Sequence, residues 1–222
     1  MKKAKKAKKA KLFSIKCFLY DFVRVTGMPL LLWFRPKKIY VSKAAKKKIW
    51  GGALIVSNHI GFFDAMYLLL GIWYRRHHFV ATKELFKGKF NNWLFKKVFK
   101  CIEIDRENFT VASFKTIVEH LKMNELVTMF PEGRINQNKE GVQAFKSGVT
   151  FMAIKSGAPI VPVYIKRRKH FWSRLVIGVG EPLKIEPHED GTPITIDEIN
   201  RITEELHEQE LRLETLCTAK KK

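Results

Sequence analysis

A histidine and an aspartate stand five residues apart in the segment Ser57-Asn58-His59-Ile60-Gly61-Phe62-Phe63-Asp64, directly after a short apolar run. On one ideal helix, residues five apart point about 140° away from each other, so these side chains can meet only if His59 lies in a loop and Asp64 near a helix start. The carboxylate would then accept the imidazole N–H and leave the other ring nitrogen free to take a proton from a hydroxyl. The pattern therefore predicts a general-base pair.

The spacing of this pair is weak evidence when taken alone. With this composition, one His–Asp pair five apart arises by chance in roughly one shuffle in six. His120 and Glu125 have the same spacing at a predicted helix-to-strand junction, and we interpret them as structural. The His59–Asp64 hypothesis therefore depends on what lies around it.

Two further polar blocks follow predicted strands. Phe130-Pro131-Glu132-Gly133-Arg134 ends one strand and Ile104-Asp105-Arg106 ends another. In an open α/β sheet such loops gather along one edge, where ligand sites form. Arg134 and Arg106 could each bind phosphate oxygens through two hydrogen bonds, and Gly133 would let the backbone approach a ligand. The alternative for each arginine is a solvated surface charge.

The elements that would position these groups alternate along the chain. Short apolar runs predict strands at 53–56, 79–81, 102–104, 126–130, 160–165 and 175–179. Helices are predicted between them at 62–73, 93–99, 109–123 and 142–155, and a last helix from 196 to about 216. The alternation is typical of an α/β domain. We interpret the last helix as a cap on that domain, with no function of its own.

The N-terminal segment is basic and then apolar. Residues 1–11 carry Lys at most positions, which suits either a solvated tail or a contact with anionic head groups. Residues 12–34 are largely apolar, but charged residues and Gly27-Met28-Pro29 interrupt them, so no clean membrane-spanning helix is predicted. We expect a helix, a break and an apolar piece at 30–34, lying at a membrane interface or packed on the protein's own core.

Composition points to one domain with an anionic partner. The chain has 222 residues, 46% of them hydrophobic, and a formal net charge of +21. That charge suits nucleic acid, an anionic lipid surface or a phosphorylated or CoA-like substrate, and cannot separate them. The three cysteines are far apart and odd in number, which argues against a disulfide framework and favours a reducing, cytoplasmic environment.

Four blocks in order carry a family resemblance: Asn58-His59 with Asp64, Ile104-Asp105-Arg106, the block 130–134 and Ala158-Pro159-Ile160-Val161-Pro162-Val163. In this order and with these gaps, the chain resembles the 1-acyl-sn-glycerol-3-phosphate (lysophosphatidic acid) acyltransferases. The resemblance implies an α/β fold like that of glycerol-3-phosphate acyltransferase, with an open mixed sheet flanked by helices. The implied boundaries are a basic tail at 1–11, a membrane-interfacial helical segment at 12–36, an acyltransferase domain at 37–216 and a basic tail at 217–222.

The resemblance also implies roles for individual residues. His59 would be the catalytic base and Asp64 its orienting partner, while Pro162 would shape the acyl-donor pocket. The predicted contacts to the acceptor phosphate are Lys83, Arg106, Glu132, Gly133 and Arg134. The segment Cys101-Ile102-Glu103 departs from the family, in which a Gly and an aromatic residue are commoner. That departure leaves the details of acceptor binding open.

The implied reaction is direct transfer of a fatty acyl group from acyl-CoA or acyl-carrier protein to the sn-2 hydroxyl of lysophosphatidic acid. A serine acyl-enzyme is not expected, because no Gly-x-Ser-x-Gly motif surrounds Ser57, Ser147 or Ser156. We expect no cofactor, no metal and no nucleic acid. Anionic membrane lipids are expected partners, and the expected location is peripheral or monotopic, at the cytoplasmic face of the cell membrane.

Two alternatives stay open from the sequence. The first is an acyltransferase acting on another lysophospholipid or on glycerol-3-phosphate. The second is a non-enzymatic basic module that binds membranes or nucleic acid. The positive charge is spread along the chain, without a recognisable DNA-reading helix or a base-stacking aromatic platform, which argues against nucleic acid.

Overall fold

The computed structural model describes residues 17–27, 29, 36–105, 107–136, 141–168, 170, 173–188 and 192–219. Arg106, the predicted tail at 1–11 and the predicted apolar piece at 30–34 lie outside these residues. The elements in chain order are α1 (Phe18–Thr26), β1 (Lys37–Tyr40), β2 (Ala53–Ser57), α2 (Asp64–Gly71), β3 (His77–Thr82), a 3₁₀ turn (Lys83–Phe86), α3 (Lys89–Asn92), a π-helical stretch (Trp93–Val98), β4 (Ile102–Ile104), α4 (Val111–Lys122), β5 (Leu126–Met129), α5 (Gly148–Ser156), β6 (Ile160–Ile165), β7 (Val176–Val179) and α6 (Ile196–Thr218).

The strands form one seven-stranded mixed sheet in the order β1-β7-β6-β2-β5-β3-β4. All neighbouring strands pair in parallel except β6 and β7, which are antiparallel. Strand β2 lies at the centre and is buried on both faces, as its unbroken apolar sequence predicts. The carboxyl ends of β2, β5, β3, β4 and β6 therefore meet at one edge of the sheet, and His59 follows the central one.

Helices cover both faces of the sheet. Leu68 of α2 packs with Ile55 of β2 in the core on one face. On the other face Leu121 of α4, Met152 of α5 and Leu206 of α6 pack together in a second core. The predicted α/β architecture, an open mixed sheet flanked by helices, is confirmed.

Helix α6 begins with a capping box, in which Thr195 and Glu198 bond each other's backbone N–H groups. It packs closely on β7, because a Cβ added at Gly178 would lie 2.7 Å from the Sγ of Cys217. Cys217 is buried and belongs to the helix. The predicted domain boundary at 216–217 therefore falls inside α6.

Helix α1 has a docked face and an exposed face. The Tyr20 hydroxyl accepts a 2.8 Å hydrogen bond from the backbone N–H of His77, and Asp21 forms an ion pair of 2.6 Å with Arg76. On the other side, Phe18 is 65% and Phe22 55% exposed. One side thus packs on the domain while the other presents aromatic rings. None of the helices in the described ranges combines the length and apolarity that a transmembrane span needs.

Several elements differ from the sequence prediction. The 3₁₀ turn at Lys83–Phe86 and the short helix α3 were not predicted, and β1 and α5 differ as well. Strand β1 was not predicted, because its sequence Lys-Lys-Ile-Tyr is short and charged, as suits the edge of a sheet. Helix α5 begins at Gly148 rather than 142. Part of the reason is that the backbone N–H of Gln143 donates to the Glu132 carboxylate instead of entering a helix.

Candidate active site

The carboxylate of Asp64 organises the loop after β2. Its Oδ2 lies 2.7 Å from His59 Nδ1 and also accepts the backbone N–H groups of Ile60, at 2.6 Å, and Gly61, at 2.9 Å. Asp64 is the first residue of α2 and only 1% exposed, so its charge lies at the positive end of the helix. The predicted arrangement, with His59 in the loop and Asp64 at the helix start, is present.

The imidazole of His59 is held in one orientation. It stacks on the ring of Phe130 with centroids 4.1 Å apart and planes 14° from parallel. Because Asp64 accepts from Nδ1–H, Nε2 keeps its lone pair, and no residue in the described part of the chain bonds that nitrogen. The side chain is 21% exposed. His59 Nε2 is therefore able to accept a proton from a bound hydroxyl.

Asn58 anchors the loop from the other side. Its side-chain amide donates to the carbonyl oxygen of Ile165, and its Oδ1 accepts the N–H of the same residue, at 3.0 and 2.8 Å. Its backbone N–H donates to Oε1 of Glu210, a fully buried residue of α6. Glu210 was missed from the sequence. The available signal was an acidic residue on the apolar stripe that also carries Leu206 and Leu213.

Glu132, in the turn after β5, also contacts the His59 loop. It is 7% exposed, and its Oε1 accepts the backbone N–H of Gln143 at 3.4 Å. Burial raises the pKa of Glu132 to about 7, while hydrogen bonds from the backbone N–H groups of Gln143 and His59 act in the opposite direction. Asn136 adds a 2.7 Å hydrogen bond from its N–H to the carbonyl of His59. The predicted phosphate contact through Glu132 stays a prediction, and this geometry favours a positioning role.

The block after β5 presents positive charge. A turn closed by the N–H of Gly133 and the carbonyl of Phe130, at 3.0 Å, leads to Arg134. Gly133 has φ +72°, a conformation that glycine adopts without strain. Arg134 is exposed and has no ion pair within the described residues. Lys146 Nζ lies 3.8 Å from where a Cβ of Gly133 would stand, so two cations share this loop. Lys146 was not among the site residues predicted from the sequence.

The loop after β6 supplies two more arginines that the sequence analysis missed. Arg167 donates to the carbonyl oxygen of Asn136 at 3.0 Å, and Arg168 donates to the hydroxyl of Tyr67 at 2.5 Å. Both line a cavity of about 240 Å³ beside Asp64, together with Phe62 and Phe63. Their signal was similar to that of Arg134, because they are basic residues shortly after a predicted strand.

Lys83 follows β3 and is ion-paired with Asp105, its Nζ 2.6 Å from the Asp105 Oδ2. This hydrogen bond raises the pKa of Lys83 and lowers that of Asp105. Strand β3, which Lys83 follows, is two strands from β2, or about 10 Å at the usual strand spacing. Lys83 therefore follows a strand that is not a direct neighbour of the strand before His59. Phosphate binding by Lys83 and by Arg106, which lies outside the described residues, stays a prediction.

Pro162 lies inside β6. It is buried, pairs in register with Val56 of β2, and its carbonyl accepts the N–H of Gly180 at 2.8 Å. This position beside the central strand is compatible with a structural role. Its contribution to an acyl-donor pocket stays a prediction.

Comparison with known proteins identifies one family. The family model described as Acyltransferase matches residues 38–166. The chain is 36% identical over 137 residues to 1-acyl-sn-glycerol-3-phosphate acyltransferase of Bacillus subtilis (strain 168), which covers 60% of this chain and 67% of that protein. It is 30% identical over 131 residues to the Escherichia coli (strain K12) protein of the same name, covering 58% of this chain and about half, 52%, of that one.

A solved structure also has a similar fold. It is the 1-acyl-sn-glycerophosphate (LPA) acyltransferase PlsC from Thermotoga maritima, which matches with a TM-score of 0.62 and 22% sequence identity. The match covers 92% of this chain and 82% of the other. The likeness extends over most of the seven-stranded sheet and its helices.

Proposed function

The chain belongs to the acyltransferase family, whose model spans more than half of it, and from this we propose that it transfers a fatty acyl group from an acyl thioester to the sn-2 hydroxyl of 1-acyl-sn-glycerol-3-phosphate. The product is phosphatidic acid, a precursor of phospholipids. The acceptor is inferred from the printed names of the B. subtilis and E. coli relatives. Family membership also excludes the reading of the chain as a non-enzymatic binding module.

The main observation behind this proposal is the hydrogen bond between His59 and Asp64. His59 Nε2 removes the proton from the acceptor hydroxyl as that oxygen forms a bond to the thioester carbonyl carbon. The C–S bond then breaks, and the thiolate leaves with the electron pair and takes up the proton from the imidazolium. Asp64, 2.7 Å from Nδ1, stabilises the imidazolium between these steps. No covalent acyl-enzyme and no cofactor enter this scheme.

The acceptor phosphate is assigned to the cationic groups in the loops after the two strands beside β2. Arg134 and Lys146 lie on the loop after β5, and Arg167 and Arg168 follow β6. Because β5 and β6 are the two neighbours of β2, these groups flank His59 on both sides. Guanidinium groups suit phosphate oxygens, since they can donate two hydrogen bonds at once. Arg134 is our first choice, because no described residue is ion-paired with it.

A peripheral location at an anionic membrane is part of the proposal. Phe18 and Phe22 project from α1, and Phe62 and Phe63 are 76% and 55% exposed beside the His59 loop. Such rings can enter the interfacial region of a bilayer, while the net charge of +21 attracts anionic head groups. The cytoplasmic leaflet is the more anionic one, which supports attachment from that side. An acyl chain could then reach His59 without leaving the membrane.

The choice of substrates can be tested with the purified full chain. We expect turnover with lysophosphatidic acid and with at least one donor, acyl-CoA or acyl-carrier protein, measured by incorporation of radiolabelled acyl groups into phosphatidic acid. Glycerol-3-phosphate and a choline lysophospholipid serve as competing acceptors at equal concentration. A preference for either competitor would reassign the acceptor and leave the chemistry at His59 intact. Absence of transfer with every pair would contradict the proposed function.

A further inference from the structure

A second group of polar side chains lies at the opposite edge of the sheet from His59. His78 is at the amino end of β3, His120 is in the last turn of α4, and Glu125 directly precedes β5. One potential metal-ligand atom from each residue, a ring nitrogen or a carboxylate oxygen, lies within 4.8 Å of the other two. His120 Nδ1 is 2.5 Å and His78 Nε2 3.5 Å from Glu125 Oε2. The arrangement plays no part in the proposed acyl transfer.

The orientation of His78 suits metal binding. Its Nδ1 lies 3.1 Å from the carbonyl oxygen of Lys100, so Nδ1–H donates to that carbonyl. The other ring nitrogen, Nε2, faces Glu125 and lies 3.5 Å from its Oε2. A metal ion placed between these two atoms can bind both of them.

We propose that His78, His120 and Glu125 bind a late first-row transition-metal ion, with Zn²⁺ as the representative. Two imidazole nitrogens and one carboxylate oxygen form a common Zn²⁺ ligand set, and solvent can take the fourth position. Ligands about 2.1 Å from a tetrahedral ion stand roughly 3.4 Å apart, close to the separation of His78 Nε2 and Glu125 Oε2. Histidines that bind a metal through one ring nitrogen usually donate the N–H of the other to a carbonyl or carboxylate, as His78 Nδ1–H does here.

The surroundings of the cluster allow an ion to enter, and its ligands favour a metal that prefers nitrogen. The three side chains are half-buried, and they line a cavity of about 780 Å³ that opens to solvent. Mg²⁺ and Ca²⁺ prefer all-oxygen ligands, so the two imidazoles select against them.

Positive side chains near the cluster are engaged elsewhere. Arg75 donates to three backbone carbonyls, those of Ile49, Gly51 and Asn124, at 2.8 to 3.0 Å. Arg76 is paired with Asp21. These bonds hold the guanidinium groups in place and partly balance their charge. Lys100 lines the same cavity and can turn its ammonium group towards solvent, because its side chain is flexible.

Zinc binding by the full chain without an affinity tag is the test. We expect one Zn²⁺ per chain in calorimetry with a competing chelator, Co²⁺ absorption bands of a four- or five-coordinate site, and no heat with Mg²⁺. His120→Gln and Glu125→Gln should each weaken Zn²⁺ binding by at least roughly 10- to 100-fold. Loss of a hydrogen-bond partner of a ligand already costs that much in metal affinity, and these variants change a ligand itself. The matched control is His188→Gln, which removes a partly exposed histidine 3.1 Å from Glu198 and should leave binding unchanged.

Binding that survives both cluster variants, or no stoichiometric binding by the wild-type chain, would overturn the proposal. If either variant fails to fold, X-ray absorption of the zinc-loaded wild-type protein decides. We expect two imidazole nitrogens in the first coordination sphere. One imidazole would point instead to a site such as His59 with Asp64 and would refute the assignment. Acyl-transfer activity is not read in any of these measurements, so the outcome is independent of the proposed function.

Discussion

The carboxylate of Glu210 accepts a hydrogen bond from the backbone N–H of Asn58, the residue that precedes His59, although 152 positions separate the two in the chain. This contact joins the last helix to the loop that carries the candidate base. Burial raises the pKa of Glu210 well above its ordinary value. Helix α6 is therefore more than a cap, because it supplies one of the groups that fix the position of His59.

Replacing Glu210 by Ala should destabilise the protein and lower its activity. The buried N–H of Asn58 would lose its acceptor, at a cost of about 1–3 kcal/mol in the free energy of unfolding. Glu210→Gln keeps an acceptor oxygen and should retain most of both properties. Urea unfolding and kcat measure the two effects. Glu208→Ala, on the exposed side of the same helix, is the control. Equal behaviour of the Ala variants at 210 and 208 would refute the role of Glu210.

The Glu132→Gln variant should change how stability depends on pH. A carboxyl whose pKa is raised on folding, here to about 7, binds more protons in the folded than in the unfolded state at intermediate pH. Its contribution to stability is therefore lost progressively from about pH 4.5 to 7 and stays lost above that range. Glu132→Gln should thus be more stable relative to wild type at pH 8 than at pH 5, as measured by urea unfolding. Glu181→Gln, at an exposed position, should show the same difference at both pH values.

Arg134→Ala should mainly weaken binding of the acceptor. Loss of a charge-assisted hydrogen bond to a phosphate costs about 1.5–3 kcal/mol, so the KM for lysophosphatidic acid should rise by roughly tenfold or more while the KM for the donor changes little. Steady-state kinetics with each substrate varied in turn give both values. Arg212→Ala, which removes an exposed arginine of α6, is the control. An unchanged acceptor KM in the Arg134 variant would remove Arg134 from the phosphate site.

A negative charge introduced on the exposed face of α1 should weaken binding of the protein to membranes. Phe22→Glu places a carboxylate where the proposal puts the lipid, and Phe22 is 55% exposed, so the fold should tolerate the change. We expect less co-sedimentation with anionic vesicles than for wild type. Val111→Glu, at an 83% exposed position on α4, is the matched control and should bind normally. Equal binding by both variants would contradict a membrane role for α1.

Local sequence patterns were sufficient to predict the central part of the fold and the contact between His59 and Asp64. Strand β2 is an uninterrupted apolar run, and the turn at Ile60-Gly61 brings His59 and Asp64 together within a few residues. Parallel strands then place the loops after β2 and β5 at one edge, as predicted. These features depend on periodicity and on short-range geometry, which a single sequence contains.

Features that depend on distant contacts were not predictable in this way. Glu210 reaches Asn58 only because α6 packs across β6 and β7, and no local pattern records that packing. His120 and Glu125 have the same spacing as His59 and Asp64 and also form a hydrogen bond. The two pairs differ in position, since one lies at the carboxyl edge of the sheet beside cationic loops and the other at the amino edge beside His78. Only the assembled sheet separates them.

The most direct test of the catalytic assignment is the rate of acyl transfer by His59→Ala. Without the imidazole, the group proposed to take the hydroxyl proton is absent, so transfer of radiolabelled acyl groups to lysophosphatidic acid should fall by about 10²- to 10⁴-fold. Circular dichroism should report an unchanged fold, and His188→Ala should keep wild-type activity. A folded His59→Ala protein with turnover within a few-fold of wild type would contradict His59 as the base.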